Sequence, residues 1–145
     1  MRVKLFGVLM AVFVLGVAIP TSAHHSFGVQ FDATKCMDVR GTLVGLQWEN
    51  PHAFIEVDVN AMNGKPVETA KWTLEMVTPN ALNRSGAPRK VWESNFGKTI
   101  NARICEARAG GNLGAASYLA LSDGLIRPVG QGVERRPEED KHFNY

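Results

Sequence analysis

The chain is sparing with the residues that usually announce a chemistry. Two cysteines, two tyrosines and four histidines are all that 145 residues supply. No Gly-x-Ser-x-Gly elbow, phosphate-binding loop, dinucleotide fingerprint or zinc-type Cys/His spacing occurs. Those absences leave the common nucleophilic, nucleotide-binding and structural-zinc classes without a motif. Net charge is scarce as well, with 16 Lys plus Arg against 14 Asp plus Glu. Only one long apolar run exists, Leu5 to Ile19, and it lies at the start.

That run reads as part of a secretory signal over residues 1–23. Arg2 and Lys4 supply the positive start, Pro20 breaks the run, and Thr21-Ser22-Ala23 offers small residues to a signal peptidase. The run is short for a membrane span of roughly 20 residues. No cysteine follows the cleavage site to take a lipid, so no membrane anchor is expected after cleavage. Export to the periplasm or beyond is the expectation. Cleavage removes two basic residues and no acids, leaving 14 of each sign. The mature chain therefore carries no electrostatic footprint for nucleic acid.

Cys36 and Cys105 both lie in the mature part with 68 residues between them, too far for a local redox motif. In an oxidising compartment a structural disulfide is the simplest use of such a pair, with two separate thiols as the alternative.

The rest reads as strands. Residues 26–31, SFGVQF, suggest a short strand, and DATK a turn leading out of it. MDVRGTLVGLQW is β-branched with two glycines, as a long bent strand would be. Asn50-Pro51 favours a turn. AFIEVDVN then alternates, with Ile55, Val57 and Val59 on one face. Asn63-Gly64 signals a hairpin into AKWTLEMV, where Trp72, Leu74 and Met76 share a face and Glu75 points outward. Thr78 can cap a helix with Pro79 at its first position, ended within about two turns by Gly86 and Pro88. KTINARICEA and AASYLAL complete the strands, and Asp123-Gly124 closes the last.

These elements predict a mainly β fold: a small OB-like five-stranded barrel with one short helix between strands 3 and 4, over residues 24–127. Cys36 before the first strand and Cys105 near the end of the fourth would meet at one end of it. Residues 128–145 turn polar and charged, and read as a poorly ordered tail.

The stretches AHHSFGVQFD, GTLVGLQWENPHAFIEVDV, WTLEMVTPNALNRSG and LSDG resemble an uncharacterised family of small exported bacterial proteins, domain of unknown function 6152. The resemblance covers roughly residues 23–126. It implies a compact, β-rich, secreted protein and no established activity. The cysteine pair and the charged tail depart from the family's pattern.

The histidines are the sharpest functional lead. Cleavage after Ala23 makes His24 the first residue, whose α-amine and ring Nδ1 form a chelate suited to Cu(II). His25 adjoins it, and His52, in the turn after Pro51, is the distant third candidate. A segment 26–31 folded back along the first strand would bring the terminus to His52, because twelve extended residues span about 40 Å. Cleavage one residue earlier places a histidine third from the free amine, which also favours Cu(II) or Ni(II). The plainer alternative is polar residues at a loose terminus and a His52 that bonds its local backbone. His142 lies in the tail and is not counted in the site.

Glu49, beside the Asn-Pro-His turn, is a candidate carboxylate for orienting an imidazole. Glu75 is a candidate acid, ligand or similar support at a cleft, with an exposed strand carboxylate as the plainer reading of either. Trp48, Phe54 and Trp72 form either an aromatic binding surface or part of the core. No catalytic residue is assigned. The expectation is a non-enzymatic exported module binding a small ligand, with copper as the one cofactor in view. A metal-free module holding an envelope protein, peptide or glycan is the alternative, and an oxidative copper enzyme with a histidine brace is a third.

Overall fold

The computed structural model describes residues 27–130 and Phe143. The expected signal, with His24 and His25, lies outside the described residues, as do positions 131–142, 144 and 145 of the expected tail. The described elements are α1 (Phe27–Gln30), β1 (Phe31–Trp48), β2 (Ala53–Met62), β3 (Lys65–Glu75), α2 (Pro79–Arg84), α3 (Arg89–Glu93), β4 (Thr99–Ala107), β5 (Leu113–Ala120) and β6 (Ile126–Pro128). No helix among them is long and apolar enough to cross a membrane.

Mainly β is correct, in one sheet of six strands ordered β3-β2-β1-β4-β5-β6. Neighbours in that order are antiparallel. In addition Thr73–Glu75 of β3 pairs in parallel with Leu113–Ala115 of β5. The alternation read from sequence aims one face of each strand inward. Ile55, Val57 and Val59 from β2, Trp72 and Leu74 from β3, and Ile100, Ala102 and Ile104 from β4 pack with Leu43, Leu119 and Trp92 in the main core.

β1 is long because it is bent. Its register against β2 slips between Arg40 and Gly41 and again between Leu43 and Gly45, so both glycines sit at bulges. Asn63 and Gly64 have φ of 47° and 75°, the two positive values a tight hairpin between β2 and β3 demands.

Three expectations are corrected. Residues 27–30 form a helical turn rather than a strand, and Phe27 stacks on Phe31 at 5.3 Å, a contact that i,i+4 spacing on a turn of helix allows. DATK does not fold the segment back along β1. Phe31 pairs with Ala107 of β4 and Cys36 with Cys105, so the intervening residues bulge out of the β1–β4 ladder. The single helix between strands 3 and 4 is two helices. Thr78 Oγ1 accepts from the Ala81 N–H at 3.2 Å, as its capping role predicts. Gly86, at φ 80°, then turns the chain, and Pro88 starts α3, which buries Trp92 in the core.

The sixth strand was also unforeseen. β6 and the buried Val129 carry the sheet past residue 127.

Candidate functional site

His52 stands where the Asn50-Pro51 turn delivers the chain into β2. Phe54 and Glu75 are direct cross-strand partners, so their side chains share a face. His52, two residues before Phe54, projects to that same face. The result is a contact between His52 Nδ1 and Glu75 Oε1. The His52 side chain is 19% exposed and that of Glu75 only 4%.

The outward phase read for Glu75 is correct, but its burial contradicts the picture of an exposed strand carboxylate. Two long-range features cover it. The parallel join pairs Glu75 with Ala115, and Ala115 packs with Phe27, Phe31 and Ala107 in a second apolar cluster. Phe27 then meets the His52 ring edge-on, with centroids 5.2 Å apart. A buried carboxylate is costly without a hydrogen-bond partner, and the His52 ring supplies one.

Glu49, the other candidate orienter, is exposed, and the carboxylate against the His52 ring belongs to Glu75. The aromatic candidates separate. Trp72 is in the core with Trp48 packed against it, whereas Phe54 shares the His52–Glu75 face. Phe27 was missed as a site residue, although its four-residue spacing from Phe31 was a signal for a helical turn. The cysteine expectation holds: Cys36 and Cys105 are joined by a disulfide. Among the described residues no three His, Cys, Asp or Glu side chains gather as a metal site.

A small, disulfide-stapled β-sheet protein with a carboxylate-oriented histidine at one end of the sheet is thus the class that fold and site define. The chain belongs to Family of unknown function (DUF6152), whose model matches residues 11–116. No curated protein and no solved structure matches it.

Proposed function

We propose that this is an exported binding protein that holds Cu(II) between its mature N-terminus and the His52 ring. The contact that carries the proposal is that of His52 with Glu75. A carboxylate on one ring nitrogen fixes an imidazole's orientation and raises the basicity of the other nitrogen, which is how metal-binding histidines are commonly supported. Phe27 on the same ring supplies the second support. Phe27 lies two and three positions after His25 and His24, a covalent reach of at most about 7 and 11 Å. The α-amine and Nδ1 of His24, with imidazole nitrogens from His25 and His52, would make the nitrogen-rich set that Cu(II) favours. The pairing cycle β1–β2–β3–β5–β4 supports an OB-like barrel as the scaffold.

The test is titration of the mature protein with one equivalent of Cu(II), read by native mass spectrometry and competition with a chelator. His24→Ala is expected to abolish tight binding with the fold retained. Glu75→Gln is expected to weaken it about 10- to 100-fold. A His52→Ala variant that binds like the wild type removes His52 from the site. Failure of the wild type to retain copper favours the metal-free interaction module, for which Phe96, Leu125 and Ile126 are exposed apolar residues.

A further inference from the structure

One row of residues crosses the sheet on the face away from the core. Asp38 of β1 is paired with Arg103 of β4, Arg103 with Tyr118 of β5, and Tyr118 with Pro128 of β6. Their sequence neighbours Val39, Ala102 and Leu119 point into the main core, so this row faces the other way. Yet Asp38, Arg103 and Tyr118 are only 3%, 7% and 1% exposed. Arg103 Nη1 donates to Asp38 Oδ1 at 3.3 Å, an ion pair that would normally be solvated on an outer sheet face.

Phe143 is part of what covers it. The ring packs on Tyr118 with centroids 5.4 Å apart and is itself 8% exposed. It also lines a cleft of about 100 Å³ with Asp38, Arg40, Ala61 and Asn101. Gly130 donates its N–H to the Ser117 carbonyl, and Phe143 lies against Tyr118, the next residue of β5. Both contacts lie beyond the stretch matched by the family model, which ends at residue 116.

We propose that the outer face of β1, β4 and β5 is a docking groove for an aromatic-bearing peptide segment, occupied by this chain's own C-terminal segment with Phe143 as its anchor. The chemistry of the groove is specific: a tyrosine ring to stack on, apolar Ala61 and Ala120 beside it, and a buried ion pair at its floor. Phe143, within the stretch expected from composition to be loose, is on this proposal the resident ligand of the sheet.

The test uses the full oxidised chain. Trypsin cuts after Lys141, two residues before the anchor, and intact mass follows the cut. Phe143→Ala is expected to be cut at least about tenfold faster than the wild type, because cleavage follows the undocked population. A labelled synthetic peptide of residues 137–145 is expected to bind the Phe143→Ala protein at least about tenfold more tightly than the wild type, whose groove is filled. The same peptide with alanine in place of its phenylalanine is expected not to bind. Equal cleavage rates, or no peptide binding to the variant at millimolar concentration, overturn the proposal. A wild-type protein that light scattering shows to be a dimer undone by Phe143→Ala also overturns it, because the tail would then be exchanged between copies.

Discussion

Cys36 and Cys105 face one another as cross-strand partners on β1 and β4, with Cα atoms 3.9 Å apart and a sequence separation of 69. The bond pins the start of the sheet's central strand to the end of its neighbour. It lies next to the bulge that redirects Phe31 and α1 toward the His52 end of the molecule.

Replacing both cysteines by serine is therefore expected to cost about 2–4 kcal/mol, since a bridge closing so long a loop chiefly restricts the unfolded chain. Urea denaturation followed by circular dichroism measures it. An unchanged midpoint would show that the bridge contributes nothing to stability.

Gly41 and Gly45 both sit at bulges, but their substitutions are expected to differ. A Cβ at position 41 would lie 2.7 Å from the Val59 Cα and closer still to the Asp58 carbonyl oxygen, so backbone must move. At position 45 the nearest atom is the Glu56 Oε2, at 2.9 Å, the end of a flexible side chain. Gly41→Ala should destabilise by more than about 2 kcal/mol and Gly45→Ala by clearly less. Equal melting temperatures for the two variants would refute this reading of the bulges.

Trp92 is fully buried and its Nε1–H donates to the Ala87 carbonyl at 2.9 Å. Trp92→Ala is expected to cost about 3–5 kcal/mol through the cavity it leaves. Trp92→Phe fills most of that space but leaves the carbonyl without its indole donor. It should fall between the two, and thermal melts of the three proteins rank them.

Arg127 holds the Asp123 carboxylate with two N–H groups, at 2.9 and 2.5 Å. Those hydrogen bonds lower the Asp123 pKa from 3.8 to about 2, while the carboxylate raises that of Arg127. A depressed folded pKa means that the stabilisation is complete above the unfolded value of 3.8 and is lost as pH falls toward and through about 2. Asp123 is 46% exposed, so screening holds the effect below about 1 kcal/mol. Asp123→Asn should flatten the stability profile in that window and nowhere else. Parallel profiles for variant and wild type between pH 4 and 2 would contradict the assignment.

What was legible in the sequence was what is local. The bend of β1 was marked by its two glycines, the β2–β3 hairpin by Asn63-Gly64, and the α2 start by Thr78-Pro79. Each is a constraint of backbone geometry within a few residues. Short elements escaped because they hold too few residues to show a period: the turn at Phe27–Gln30, the five residues of α3 and the three of β6.

The sequence by itself determined the strand phases, and therefore which side chains face the core, because alternation is a property of the extended chain. It also determined that Glu75 and Asp38 lie out of phase with their inward neighbours Leu74 and Val39. Only the tertiary structure decided that these outward carboxylates are buried. The β3–β5 join and Phe27 close over one end, where Glu75 meets His52, and Phe143 lies across the face where Asp38 meets Arg103. Burial depends on what distant chain comes to rest on a surface, and phase carries no information about that.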